Sequence, residues 1–319
     1  MTTRLLLSIL LLAAGAASAQ SWPTKPVSIV VTFAPGGSSD IVARLIGGPL
    51  QARLGQPVIV DNRPGAGGTI GAVVVAKAAP DGYTLLLSNS APISISPFML
   101  TTPNYDPVKS FSHVSYIGSV ANVFVVHPSV TAKTLSELVA WIKAQPNPVN
   151  YGSGGIGSIG HIVGETFKND HGLKMEHVGY KGSSPMHNDL LGATIKLAID
   201  TLPQNVPFMK DGKLRALAVT SPARATMAPE VPSVLELGQT KLVAENFLGV
   251  SGPAGLPPAV VTRLHAAMSE VLADPVVTKR LDDLGVAGRK MSPAEFTAFV
   301  QNQVSEWAGP VKASGAKLN

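Results

Sequence analysis

The chain is predicted to be an α/β protein of two lobes. Three observations carry this. Apolar, β-branched runs alternate with helical patterns, as in Val27–Val31 followed by Ile41, Val42, Leu45 and Ile46. Two Gly/Ser-rich loops, 35–40 and 152–158, each follow a strand and open a helix. The length of 319 residues suits two domains.

The first unit is Ile29 to Ala43, IVVTFAPGGSSDIVA. Pro35-Gly36-Gly37 stops a buried strand, and Ser38, Ser39 and Asp40 are residue types that cap helices. A helix start offers unpaired N–H groups and partial positive charge, and two glycines admit a ligand close to the backbone. An ordinary capped βα turn reads the same way locally. Strands follow at 56–61 and 84–88, with a helix at 69–79 between them. Ser88, Asn89, Ser90 and Ala91 lie at the end of the third strand, where open α/β sheets place ligands.

The second assembly has an apolar segment at 115–126 and an amphipathic helix at 134–145. A strand then leads into Gly152-Ser153-Gly154-Gly155-Ile156-Gly157-Ser158 and a helix to about 170. Strands are read at 177–180, 195–200, 214–220 and 247–251. Helices are read at 186–191, 259–272, 276–284 and 293–308. Asp200 ends a strand, and Lys181 sits in a turn.

Composition excludes several classes. Residues 1–19 read as a secretory signal: Arg4, an apolar run from Leu5 to Ala16, then Ala17-Ser18-Ala19, with cleavage expected after Ala19. There is no Cys at that site to take a lipid, and no disulfide anywhere, since the chain has no Cys. Cleavage lowers the formal charge of +5 by one. Lys and Arg are scattered and aromatics are few, at 5%, so nucleic acid is not an expected partner.

Residues 152–157 satisfy G-x-G-x-x-G, with Glu176 downstream. The motif sits mid-chain in an exported protein, so a dinucleotide site is rejected, and no cofactor is expected. No P-loop, G-x-S-x-G elbow or H-E-x-x-H is present. His161 and Glu165 share a helix face without a third ligand, so no metal is expected. No paired carboxylates are placed as acid and base. The chain is read as a non-enzyme.

These segments together resemble the periplasmic solute receptors of tripartite tricarboxylate transporters, also called the Bug family. The resemblance runs from Trp22-Pro23 to Trp307. It is carried by 33–40 (FAPGGSSD), 60–68 (VDNRPGAGG), 80–85 (PDGYTL), 151–158 (YGSGGIGS) with His161, 179–183 (GYKGS), 214–221 (LRALAVTS), 231–233 (VPS) and 252–255 (GPAG). Departures are small: Ser39 where Thr is frequent, Asp61 where Glu is usual, and Lys196 where an acidic residue is common.

The resemblance implies a two-lobed periplasmic-binding-protein fold (Venus-flytrap, type II) with two crossing hinge strands. Lobe 1 would span 20–122 and return at 245–319, and lobe 2 would span 123–244. It implies a small organic acid held between the lobes. The contacts expected are Gly36, Gly37, Ser38, Ser39, Asp40, Ser88, Ser90, Ala91, Ser153, Gly154, Gly157, Ser158, His161, Tyr180, Lys181, Gly182 and Asp200. Integral-membrane permease subunits are the implied partners of a periplasmic monomer. A co-receptor for a sensor protein and an exported α/β enzyme acting on a small acid are the alternatives.

Overall fold

A computed structural model describes residues 22–318. The expected signal segment lies outside the described residues.

The β-branched run Val27–Val31 (β1) is buried at the centre of a parallel trio with β2 (Val58–Asn62) and β3 (Thr84–Asn89). Strands covered on both faces read as continuous apolar runs, which is why this one was legible. Helix α1 (Ser38–Leu54) crosses from β1 to β2. It buries Val42, Ile46 and Leu50 with Val260, Leu264 and Met268 of a later helix, Pro258–Ala273. Helix α2 is Thr69–Ala76, shorter than the sequence pattern suggested. Residues 91–99 then form a π-helical turn and a 3-10 turn.

Strand β4 (Phe111–Val126) has 16 residues and belongs to both lobes. Its first part, to Ala121, pairs antiparallel with β9 (Glu245–Pro253), which also pairs with β3. Its last part, Asn122–Val126, pairs with β7 (Leu197–Thr201) and β8 (Arg215–Val219). The sheet order is β2-β1-β3-β9-β4-β7-β5-β6, with β5 (Val149–Ser153) and β6 (Met175–Gly179) parallel at the far edge. So the fold is two α/β lobes connected through β4 and β9.

Lobe 2 carries α3 (Leu135–Lys143), α4 (Ile159–His171), α5 (Ser183–Leu191) and α6 (Leu202–Lys210). The last of these went unread in sequence because Pro203 and Pro207 interrupt its pattern. Helices α7 (Pro258–Ala273), α8 (Pro275–Asp283) and α9 (Pro293–Ser314) close the chain. Helix α9 starts on a capping box between Ser292 and Glu295. It straddles the hinge. Phe296 and Val300 join Tyr116 and Phe247 in lobe 1, while Trp307 and Val311 join Phe124, Tyr151 and Phe167 in lobe 2.

Among the described residues, no helix is long and apolar enough to cross a membrane.

Candidate functional site

Beside α6, whose start at Thr201 also lines the gap between the lobes, three helices begin there behind a Gly or Ser cap. Helix α1 starts behind Gly37, whose extended backbone caps it without a side-chain hydrogen bond. Helix α4 starts at Ser158, whose hydroxyl accepts from the His161 N–H. Helix α5 starts at Gly182, again without a side-chain cap. The first-turn N–H groups of such helices have no intrahelical partner and carry the positive end of the helix dipole.

Between these starts lies a pocket of about 80 Å³. That is room for roughly five to eight waters, or for a compact molecule of similar heavy-atom count. Of the residues expected from sequence, Gly37, Ser38, Ser39, Ala91, Gly154, Ser158, Gly182 and Asp200 line it. Asn89, expected with Ser88–Ala91 at the end of the third strand, lines it too, and the other walls come from residues that sequence reasoning missed. Phe33 and Ala34 close the lobe 1 side, and Ile159, Ser183, Thr201 and Gln204 the lobe 2 side. Asn122 and Asn246 form the floor on the two hinge strands. Thr201 and Gln204 had a readable signal, a strand end followed by Pro203 near a helix start. Asn122, one polar residue in a long apolar strand, had none.

The remaining expected residues hold the walls from behind. The Asp40 carboxylate accepts from the Gly36 N–H (3.0 Å), Arg44 Nε (3.1 Å) and Asn62 Nδ2 (3.0 Å). Burial would raise its pKa, but these donors outweigh burial and keep it below the usual carboxylate value. Asp40 is therefore a brace for the 33–37 loop, and Gly36 serves through its own N–H. Ser88 Oγ accepts from Ser251 Oγ (3.0 Å), and Ser90 Oγ accepts from the Phe247 N–H (3.0 Å), both away from the pocket.

In the second loop, Ser153 is fully buried. Its Oγ lies 2.7 Å from His177 Nε2 and accepts from Ser158 Oγ at 3.1 Å. The Gly157 N–H donates to His161 Nδ1 (3.1 Å), and the His161 ring stacks on His177, centroids 3.8 Å apart and 15° from parallel. Burial pushes the pKa of His161 down to about 4 and that of His177 to about 3. Tyr180 donates its hydroxyl to Asp189 (2.7 Å), with its pKa pushed up to about 12 by burial and by that carboxylate. Lys181 is exposed and outside the lining.

The lobes touch on both flanks of the pocket. On one side, Gln204 Nε2 donates to the Gly36 carbonyl across the gap (3.2 Å). On the other, Gly157 of lobe 2 meets Gly67 and Ser96 of lobe 1. A Cβ added at Gly157 would sit 2.8 Å from Ser96 Oγ and 3.6 Å from Gly67 Cα. A larger groove of about 530 Å³ runs along the other side of the hinge, past Tyr116, Arg289 and Trp307, and none of the Gly/Ser loops reaches it.

Residues 42–315 match the sequence profile described as the tripartite tricarboxylate transporter family receptor. The chain belongs to this family. It is 37% identical to protein BugT of Bordetella pertussis over 99% of each chain. Among solved structures, Rhodopseudomonas palustris Rpa4515 with adipate superposes with a TM-score of 0.87 at 32% identity, covering 93% of this chain and 99% of that one. MatC from Rhodopseudomonas palustris with bound malate superposes with a TM-score of 0.85 at 29% identity, over 91% and 100%. The two-lobed periplasmic-binding fold expected from sequence is the fold observed, and the expected family is the family found.

Among the described residues, no group of three or more His, Asp or Glu side chains is placed to hold a metal ion.

Proposed function

We propose that this chain is a non-catalytic receptor of the periplasm that captures a small organic carboxylate between its lobes and passes it to integral-membrane permease subunits. The observation that carries this reading is the convergence of three helix starts on one interlobe pocket. Unpaired N–H groups on both lobes bind an anion best when the lobes are together, so the ligand favours the closed state. The adipate and malate held by the two relatives agree with this chemistry.

The lobes divide at the crossings of β4 and β9, near residues 123 and 245. The protein acts after removal of residues 1–19. The pocket lining has Ser hydroxyls and Asn amides but no His, so no Ser–His pair faces the ligand there.

The test is a thermal-shift screen of residues 20–319, unfolded and refolded to strip carried-over ligand, against mono-, di- and tricarboxylates. A ligand at 100 times its Kd adds about 2.7 kcal/mol of stability and raises Tm visibly. The same acid must be recovered unchanged. Ser38→Ala and Ser158→Ala should each weaken binding by about 1 kcal/mol, roughly fivefold, measured by isothermal titration. Turnover of the acid, or no shift with any carboxylate, would exclude this reading.

A further inference from the structure

We infer that the ligand carries a hydrogen-bond donor beside its carboxylate, a hydroxyl or an ammonium, and that Asp200 with Asn122 selects for it. The inference rests on the receptor reading above and specifies its substrate class.

The pocket lining contains no Lys, Arg or His, and its one ionisable side chain is Asp200. Positive potential comes only from helix starts, which surround one part of the space. The hinge-strand side is different. Asn122 on β4 pairs with Thr201 and Asp200 on β7 pairs with Val123, so the two side chains leave opposite faces of the sheet at the strand end. Both are buried, at 3% and 4% exposure, and both line the pocket. Asn122 Oδ1 and Asp200 Oδ2 have no hydrogen-bond partner among the described residues.

The nearest basic side chain makes no hydrogen bond to Asp200 Oδ2. His187 Nε2 is 3.9 Å from Oδ2, beyond hydrogen-bond reach. That nitrogen is 3.1 Å from Asn205 Oδ1, whose own amide donates to the Thr201 carbonyl. A plain second carboxylate would leave both acceptors unpaired and face an acid. Such a site rejects an analogue that lacks the donor, because its buried acceptors are then left without partners.

The experiment uses ligand-stripped residues 20–319 and two matched series read by isothermal titration. Succinate, malate and aspartate differ in one substituent, as do glutarate, 2-hydroxyglutarate and glutamate. The hydroxyl or ammonium member should bind at least tenfold more tightly than the unsubstituted diacid in one series. Which member wins distinguishes the two donors.

Asp200→Asn, an isosteric change, should cut that preference at least fivefold while improving binding of the unsubstituted diacid. Equal or tighter binding of succinate and glutarate overturns the inference, and it is the result that a protonated Asp200 donating to a second carboxylate gives. A preference unchanged in Asp200→Asn also overturns it, with the wild-type comparison standing whether or not the variant folds. Failure of these acids to bind while another carboxylate without a donor shifts Tm in the screen overturns the inference alone, and no shift with any carboxylate removes the receptor reading with it.

Discussion

Lowering the pH from 7 to 4.5 is expected to weaken the second Gly/Ser loop by about 5 kcal/mol, with the loss centred on His161 and His177. Both rings are neutral in the fold. His161 Nδ1 must keep its lone pair to accept the Gly157 N–H, and two stacked imidazoles 3.8 Å apart tolerate no second charge. Their pKa values fall to about 4 and about 3 from an ordinary 6.5, with burial the largest cause for each. The neighbouring charges pull in opposite directions: Glu165 raises the His161 value and Lys168 lowers both.

A group whose folded pKa is depressed stabilises the fold above its unfolded value and loses that contribution as pH falls. For these two the contribution is complete above about pH 6.5 and drains away toward pH 4 and 3. At pH 4.5 each contributes a loss of about 2 to 3 kcal/mol. His113, buried in lobe 1 with its pKa pushed down to about 4, adds a separate loss of similar kind.

Urea unfolding at pH 7, 6, 5 and 4.5 measures the sum. The double variant His161→Asn, His177→Gln keeps hydrogen-bonding atoms near the same places without the titration. It should recover most of the difference attributed to the pair. A pH slope identical to wild type would move the acid sensitivity elsewhere.

Much of this site was legible before any coordinates, and the reason is local. Strand, glycine turn and helix start are written in consecutive residues, so 36–40 and 153–158 announce themselves, although only the second helix takes the serine cap expected for both. The part that stayed hidden is created by the sheet. Asn122 and Asn246 come from β4 and β9, and only antiparallel pairing across more than a hundred residues of chain brings them to one floor. The residues placed behind the walls show the converse limit. Asp40, Ser153 and His161 have the right chemistry at the right loop, but whether such a side chain faces a ligand or its own loop depends on a few bonds to Asn62, His177 and Gly157. A loop that presents backbone N–H groups must itself be held by side chains, and those side chains look like ligand contacts in a sequence.

Gly157→Val should abolish high-affinity capture while leaving each lobe folded. A first side-chain carbon at this position would lie 2.8 Å from Ser96 Oγ of lobe 1 and 3.4 Å from the sulfur of Met99, which packs into the lobe 2 core. Ser96 is tied to Gly67 of lobe 1 by a hydrogen bond, so parting the lobes relieves the contact with these two. The cost within lobe 2 is limited to the left-handed backbone at φ 79°, about 1 to 2 kcal/mol for a residue with a Cβ. Valine's branch makes the steric conflict worse than alanine would, and Gly67 leaves no room on the facing loop, 3.6 Å away.

Capture needs both lobes, since Ser38 and Ser39 line the pocket from one side and Ser158 and Ser183 from the other. A variant held open keeps half of these contacts. The expected result is a loss of at least a hundredfold in affinity, about 2.7 kcal/mol, with Tm of the ligand-free protein lowered only slightly. Small-angle scattering should show wild type contracting on addition of the best acid from the thermal screen and Gly157→Val unchanged at the same concentration. Gly67→Val, which collides with Ser96 Oγ inside its own lobe as well as approaching the Ile156 carbonyl of lobe 2 at 3.3 Å, should instead lose stability with or without ligand. That contrast separates a blocked closure from a damaged lobe. Contraction of Gly157→Val to the wild-type radius would show that closure does not pass through this contact.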